Sequence, residues 1–225
     1  GFVLEQIVET FDDKDKLVDR QEVVNLELDA KGNPKKTERK NFDDAGNLID
    51  KQIVTNERMD SRGNVLDQTI ENFDDKGVLI DKSEISNSGF NSRGNPAKTE
   101  RKNFDDKGVL IDSQVINNHT FDSRGNVLAQ TIENFDDAGV LIDTQKVRNT
   151  SFNSRGNPGE TIRETFDPDG KLIDTQKILN EKFDARGNVL EQTVENLDEN
   201  GAPLGKTKIV NSLFNSRGNP GKTER

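Results

Sequence analysis

Apolar and polar side chains alternate along most of this chain, in runs that are interrupted at regular intervals by a glycine. Alternation with a period of two, in runs rich in β-branched residues and Thr, predicts β-strands. In a longer run, one face would carry Leu79, Asp81, Ser83, Ile85 and Asn87, and the other would carry Val78, Ile80, Lys82 and Glu84. In a shorter run, one face would carry Leu66, Gln68, Ile70 and Asn72, and the other would carry Val65, Asp67, Thr69 and Glu71. Neither face is purely apolar. The pattern therefore predicts a thin two-sided sheet, or two sheets joined by a sparse core.

The glycines divide the chain into a repeat of 31 residues. The segment FDDKGVLID at residues 73–81 returns at 104–112, and a second turn segment reads FDSRGNVL at 121–128 or FNSRGNP at 90–96. The two turns are spaced by 17 and then 14 residues, and the alternation of the second turn makes the full period 62, marked by Pro34, Pro96, Pro158 and Pro220. We therefore treat residues 1–225 as one continuous array whose hairpin units begin near Phe11, Phe42, Phe73, Phe104, Phe135, Phe166 and Leu197.

Each turn segment has a shared chemistry that favours a tight hairpin. Asp or Asn at its first position accepts backbone N–H bonds, and glycine at its fourth position adopts the left-handed conformation. Asp15 is the one substitute for that glycine, and Asp tolerates a left-handed backbone better than most residues. The sequence predicts positive φ at Gly63, Gly77, Gly108, Gly125, Gly139, Gly170 and Gly187.

These elements predict an all-β fold, an antiparallel hairpin meander. The legs between turns have about 10 and about 13 residues. If no bulge absorbs that difference, each hairpin advances along the strands by roughly 10 Å, and such a staggered sheet tends to coil into a spiral or tube. The alternative is a β-solenoid with one 31-residue rung per coil.

Composition narrows the function classes. Only 29% of residues are hydrophobic, 33% are charged, cysteine is absent and the net charge is −10. The charge argues against a nucleic-acid partner and leaves room for divalent cations. Without cysteine there is no disulfide framework, and no apolar run is long enough to span a membrane.

Several residue types recur in columns at the repeat period. One asparagine column is unbroken, a second is interrupted by Thr165, and Phe precedes the turn at eleven positions. The asparagines could form a ladder that contacts a ligand, or their amides could hydrogen-bond the backbone near strand ends or bulges. The phenylalanines could be a sugar-stacking surface, or could cover their own turns. The unbroken column is Asn25, Asn56, Asn87, Asn118, Asn149, Asn180 and Asn211, and the interrupted one is Asn41, Asn72, Asn103, Asn134 and Asn196.

Aspartates near the first turn are candidates for calcium, which prefers oxygen ligands. The candidates are Asp74, Asp75 and Asp81 in one unit and Asp167, Asp169 and Asp174 in another. Their spacing matches no EF-hand loop. No phosphate-binding loop, nucleophile elbow or His/Cys cluster is present, and almost every polar residue belongs to a column, whereas an active site needs a unique arrangement. We therefore predict a protein that is not an enzyme, with no catalytic residue and no cofactor unless calcium binds.

The segments FDARGNVLEQT (183–193), FDSRGNVLAQT (121–131) and FDDAGNL (42–48) resemble the YD repeats of RHS, wall-associated and teneurin-like proteins, with Phe in place of Tyr. The resemblance implies an extracellular β-hairpin sheet that serves in encapsulation, adhesion or carbohydrate contact.

The preferred function is a structural repeat protein, extracellular or at a microbial cell surface, that forms or extends a fibre, stalk, sheath or adhesin. The chain begins at a turn glycine and ends within a leg at Arg225, which predicts an excerpt of a longer array that self-associates or continues into neighbouring repeats. The alternatives are a carbohydrate- or calcium-binding repeat module and part of an RHS-like encapsulating shell.

Overall fold

The computed structural model describes residues 3–12, 14–215 and 218–225. It contains 15 strands in a single sheet whose spatial order is the order of the chain, and every neighbouring pair is antiparallel. The strands are β1 (Glu5–Phe11), β2 (Leu17–Leu28), β3 (Pro34–Phe42), β4 (Leu48–Met59), β5 (Val65–Phe73), β6 (Leu79–Ser88), β7 (Lys98–Asp105), β8 (Leu110–Phe121), β9 (Val127–Phe135), β10 (Leu141–Thr150), β11 (Glu160–Phe166), β12 (Leu172–Phe183), β13 (Val189–Asp198), β14 (Pro203–Phe214) and β15 (Pro220–Glu224).

The predicted hairpin meander is confirmed, and the solenoid alternative is wrong because consecutive strands pair directly through tight turns. The sheet is open: within the described ranges β1 pairs only with β2 and β15 only with β14, so it does not close into a tube. No helix in the described part of the chain is long and apolar enough to cross a membrane.

The turns have the predicted geometry. In the turn that begins at Asp74, the backbone N–H of Gly77 donates to the Asp74 carbonyl at 3.1 Å, and the Asp74 carboxylate accepts the N–H groups of Lys76 and Val78 at 2.9 and 2.8 Å. All seven glycines named from sequence have positive φ, between 76° and 92°. Asp15 has φ 59° in the same position.

The sheet is a single layer without a conventional core. Each strand contacts only the strands before and after it. Among the described residues, the buried apolar side chains are Val147 and Leu197, and the buried polar ones are Asp19, Asn41 and Ser83. Of the two predicted forms, the thin two-sided sheet is therefore the correct one.

Bulges change the predicted register and two predicted faces. Asp67 lies opposite Arg58 but Val65 lies opposite Met59, so Leu66 is an extra residue and Val65 does not share a face with Asp67 as predicted. Asn72 lies opposite Asp81, but Phe73 lies opposite Leu79, so Ile80 is an extra residue in its strand. The extra residue reverses the alternation, and Leu79 lies with Phe73 on the face opposite Asp81, not beside Asp81 as the simple alternation predicted. In β6 the more buried face carries Asp81, Ser83, Ile85 and Asn87, and the more exposed face carries Lys82, Glu84 and Ser86. We call these the ladder face and the charged face.

The bulge also reduces the stagger of the hairpins. Gln52 lies opposite Asn72, and Asn72 lies opposite Asp81, which is 29 residues after Gln52. Because the repeat period is 31 residues, each hairpin advances by two residues, about 7 Å. The predicted three-residue advance was too large because Ile80 and its equivalents absorb one residue.

Candidate functional site: polar rows on the ladder face

The two-residue stagger aligns residues from successive hairpins into polar triads that cross three strands. In each triad the first side chain donates to an asparagine, and that asparagine donates to an aspartate of the next hairpin. Gln52 Nε2 donates to Asn72 Oδ1 at 2.9 Å, and Asn72 Nδ2 donates to Asp81 Oδ1 at 2.6 Å. The same arrangement holds for Gln21–Asn41–Asp50, Ser83–Asn103–Asp112 and Gln114–Asn134–Asp143.

Arginines of the 62-residue period extend the triads. Arg101 donates from Nε to Asn103 Oδ1 at 2.9 Å and from a terminal nitrogen to Ser83 Oγ at 3.0 Å. Arg39 Nη1 lies 3.4 Å from Gln52 Oε1. Beside Arg163, the third arginine of this series, Thr165 replaces the asparagine. Arg163 Nε is buried without a hydrogen-bond partner among the described residues. The break in the asparagine column therefore leaves a local defect in the row.

The triads line a series of grooves on the ladder face. One has a volume of about 540 Å³, and grooves of about 330 and 290 Å³ follow it at the next two triads. Amides, carboxylates and an arginine line each of them. The first is lined from the ladder face by Gln21, Arg39, Asn41, Asp50, Gln52 and Asn72, and Lys51, Phe73 and Ile80 also border it.

The unbroken asparagine column has a structural role. All seven side chains donate from Nδ2 to a backbone carbonyl 22 residues earlier in the chain, at 2.7–3.2 Å. Six of the seven side-chain oxygens accept a further bond, for example from Thr99 Oγ1 to Asn87 at 2.7 Å and from Gln68 Nε2 to Asn56 at 2.7 Å. The exception is Asn118 Oδ1, which is buried without a hydrogen-bond partner among the described residues. This geometry confirms the hypothesis that these amide side chains hydrogen-bond the backbone near bulges.

The two margins of the sheet differ in how closely their turns pack. At the margin whose turns begin at Asp43, Asp74 and Asp105, a Cβ on the turn glycine would meet nothing within 4 Å. We call it the acidic margin. At the other, the arginine margin, a Cβ on Gly94 would lie 2.5 Å from Asn64 Oδ1 of the preceding turn. Arg62 and Arg124 also donate to backbone carbonyls of the following turn, at 3.1 and 3.0 Å. The arginine margin is thus a stack of interlocked turns.

Several turn aspartates are stabilised as carboxylates. The side-chain amide of Asn47, followed by its backbone N–H, holds the pKa of Asp43 below its ordinary value. Asn33 does the same for the pKa of Asp29. The amide of Asn64 lowers the pKa of Asp60 against the opposing effect of desolvation. These shifts follow from hydrogen bonds that favour the charged form.

No protein-family model and no curated protein matches the chain. It is similar to a chain in the crystal structure of TcdB2-TccC3, with 11% identity, a TM-score of 0.16 and coverage of 92% of this chain and 16% of that one. A chain of the TcdB2-TccC3-Cdc42 crystal structure has 9% identity, a TM-score of 0.14, and coverage of 92% and 15%. A mutant Tc holotoxin pore of Photorhabdus luminescens has 10% identity, a TM-score of 0.16, and coverage of 92% and 15%. The chain spans about a sixth of the length of these chains.

The hairpin architecture expected from the YD-repeat resemblance is present, and membership of that family stays a prediction.

The structure places the calcium candidates in different surroundings. Asp74 and Asp167 cap their own turns, Asp75 is exposed on its turn, and Asp81 accepts from Asn72. Asp174 pairs with Asp198 across β12 and β13, and Asp169 lies on the exposed turn between β11 and β12. In residues 3–12, 14–215 and 218–225, no group of three or more His, Cys, Asp or Glu side chains is placed to hold a metal ion. Calcium binding stays a prediction without a preformed cluster to support it.

The phenylalanines lie half-buried in front of their turns, with the exception of Phe11, which is 53% exposed. Cations of the preceding hairpin cover several rings. Lys51 Nζ lies 4.4 Å from the Phe73 ring centre, and Lys82 Nζ lies 4.7 Å from that of Phe104. Sequence reasoning missed these pairs, although the spacing of 22 residues between each lysine and its phenylalanine was available as a signal. The contacts favour the structural role of the phenylalanine row.

Proposed function

We propose that this protein is a structural repeat, extracellular or at a microbial cell surface, whose sheet forms or extends a fibre, stalk, sheath or adhesin. The observation that carries the proposal is that each strand contacts only its neighbours and that equivalent side-chain contacts recur along the array. Asparagine, aspartate and arginine side chains are used to hold hairpins together, in rows, and a repeated array of this kind gains length without any change of local structure.

The sheet edges support extension of the array. β1 and β15 each have a single neighbouring strand in the described part of the chain. The outer edge of such a strand carries backbone N–H and C=O groups that can pair with another strand. A further hairpin of the same kind, from a second copy or from neighbouring repeats, fits this edge in chemistry and in register.

The experiment places a proline at each of two adjacent positions in β1, Ile7→Pro and Val8→Pro. Successive N–H groups of a strand point to opposite sides. The N–H of Asn25 donates to the Leu4 carbonyl at 2.8 Å, and in this register the N–H of Val8 faces β2 while that of Ile7 faces outward. Val8→Pro removes a bond to β2 and is expected to lose stability by circular dichroism. Ile7→Pro removes an outward donor and is expected to keep its fold and to form shorter particles by electron microscopy. Particles of unchanged length with both variants, or a wild-type chain that stays a single unit at every concentration, would count against extension through this edge.

A second candidate function is carbohydrate binding in the ladder-face grooves. The observation that favours it is the recurrence of amides, carboxylates and an arginine in consecutive grooves. Each amide nitrogen of the triads has a second N–H beyond the one used in the row, and repeated subsites increase avidity for a repeating ligand. A glycan array followed by calorimetry tests it, with Asn72→Leu as the variant expected to reduce binding and Ser88→Ala, exposed on the charged face, as the control. Absence of binding to any glycan would leave the structural role alone.

A further inference from the structure

The acidic margin carries a row of exposed apolar side chains that the sheet itself does not use. Val78, Val109 and Val140 are 58–60% exposed, and Ile80, Ile111 and Ile142 are 51–52% exposed. Val18, Ile49, Ile173 and Leu204 continue the row at 41–67% exposure. Scattered exposed apolar residues are ordinary, but a contiguous row is typical of an interaction surface.

Acidic turns border this row. The four-residue turns of the acidic margin are DDKD, DDAG, DDKG, DDKG, DDAG, DPDG and DENG, each with a net charge of −1 or −2. Their second carboxylates, Asp75, Asp106 and Asp137, are exposed and are not the residues that cap the turns. Two acidic margins would repel each other, so the row does not suit a symmetric contact with itself.

The turns of the arginine margin recur at the same spacing of 31 residues, and every second one has a net positive charge. These four-residue turns are DAKG, DSRG, NSRG, DSRG, NSRG, DARG and NSRG, with net charges of zero or +1. Arg93 and Arg155 are exposed and lie in turns that begin with Asn, so no carboxylate of their own turn neutralises them. Arginine also has a hydrocarbon stem that can cover apolar surface while its charged end stays in water.

We propose that the acidic margin of one copy docks laterally against the arginine margin of a second copy. The turns of both margins recur every 31 residues, so one Asp–Arg contact in register brings the following ones into register. The valine and isoleucine row supplies the apolar part of the contact. Because the acidic margin and the arginine margin are different surfaces, the contact is heterologous, and each copy can bind a further copy at its other margin to form an open row of molecules. It would widen a sheet that grows in length through its edge strands, and it therefore rests on the structural role proposed above.

The experiment uses two charge-reversed chains. One has Asp75→Lys, Asp106→Lys and Asp137→Lys; the other has Arg93→Glu and Arg155→Glu. Each alone opposes like charges across the contact, and lateral association should weaken about tenfold, since exposed pairs are each worth roughly 0.2–1 kcal/mol and add over several pairs. Mixed in equal amounts, they present Lys to Glu and Arg to Asp, and association should return to the wild-type level.

Sedimentation velocity at low and high salt measures the association, and electron microscopy measures particle width separately from length. The wild-type association should weaken with salt because the charges are exposed. In a third variant, Val78→Thr, Val109→Thr and Val140→Thr, the width should decrease while the circular dichroism spectrum stays that of the wild type. Failure of the mixture to restore association, or association of the wild type that does not depend on salt, would overturn the lateral contact. If the charge-reversed and threonine variants leave particle width unchanged while the proline at the outer edge of β1 still shortens the particles, the lateral contact is refuted and the structural function stands. If the proline leaves particle length unchanged as well, both proposals are refuted.

Discussion

Asn95 donates from its side-chain amide to the carbonyl oxygen of Gly125 in the next turn of the arginine margin, at 2.9 Å. Asn157 makes the same bond to Gly187 at 2.8 Å. The equivalent amides of Asn64, Asn126 and Asn188 instead donate to the aspartate that begins their own turn, each at 2.8 Å. The first residue of the turn decides between the two: a carboxylate offers a second acceptor oxygen, whereas the amide of Asn91 or Asn153 offers a donor there.

We predict that Asn91→Asp moves the Asn95 amide from the Gly125 carbonyl to the new carboxylate. The turn that begins at Asp29 is the natural control, since it has the same following Asn-Pro and Asn33 donates to Asp29 at 2.8 Å. Amide side-chain shifts by NMR should change at Asn95 and stay constant at Asn157. An unchanged Asn95–Gly125 bond would show that the first turn residue does not control the choice.

The turn glycines should differ in sensitivity according to their margin. Gly108 has φ 79° and open space around a Cβ, so Gly108→Ala should cost only the left-handed backbone penalty, about 1–2 kcal/mol. Gly125 has φ 92°, and its Cβ would be in hard contact with the Asn95 amide, so Gly125→Ala should reduce the free energy of unfolding more.

Chemical denaturation of Gly108→Ala and Gly125→Ala compares their free energies of unfolding.

The effect of a larger side chain at a turn glycine should stay local. For Gly108→Val, hydrogen exchange measured repeat by repeat should show lost protection only in adjacent hairpins, because contacts join nearest neighbours. Uniform loss along the chain would refute this local response.

Replacement of Thr165 should repair the defect beside Arg163. Thr165→Asn would offer Arg163 Nε the acceptor that Asn103 Oδ1 gives Arg101. The free energy of unfolding should rise by about 1 kcal/mol, the net value of one hydrogen bond with relief of a buried unsatisfied donor. Asn103→Thr is the matched control and should lower stability in the same range. A neutral result for both would mean that water satisfies these arginines equally well.

The chain segments at Ser151, after β10, and at Gly159, before β11, lie too close together for a Cβ at Gly159. Its Cβ would lie 2.7 Å from the Ser151 carbonyl oxygen, and Ser151 has φ 58°. The equivalent pair one super-repeat earlier is Gly89 and Ala97. Gly159→Ala should therefore destabilise by about 1–3 kcal/mol, and the double variant with Ser151→Gly should recover part of the loss. Thermal unfolding measures both; additive losses in the double variant would contradict the coupling.

The pKa of Asp60 should depend on Asn64. The folded-state pKa is lowered, first by the Asn64 amide, so this contact stabilises the fold above the unfolded-state pKa of about 4 and is lost as the pH falls through the folded-state value. Asn64→Ala should raise the pKa of Asp60 toward its ordinary value in a carboxyl NMR titration. Asn95→Ala should leave it unchanged, and an equal shift in both variants would exclude the local hydrogen bond as the cause.

The features predicted correctly from sequence are those set within a few residues of chain. The left-handed glycines, the Asp caps and the antiparallel order follow from local turn chemistry, and repetition makes each signal visible several times. The face of Leu79 and the size of the stagger were predicted incorrectly. Both depend on the bulge at Ile80, which is created by pairing with β5 and has no local signature in a run as regular as VLID.

The sequence by itself determined where the chain turns, because turn conformation depends on steric and hydrogen-bonding preferences of four adjacent residues. Only the tertiary structure decided which side chains meet across strands. Gln52, Asn72 and Asp81 form a row because the register advances two residues per hairpin, and Asn95 reaches Gly125 because turns at one margin stack more closely than at the other. Register and stacking are set by the sum of many cross-strand contacts, so no single segment of the sequence specifies them.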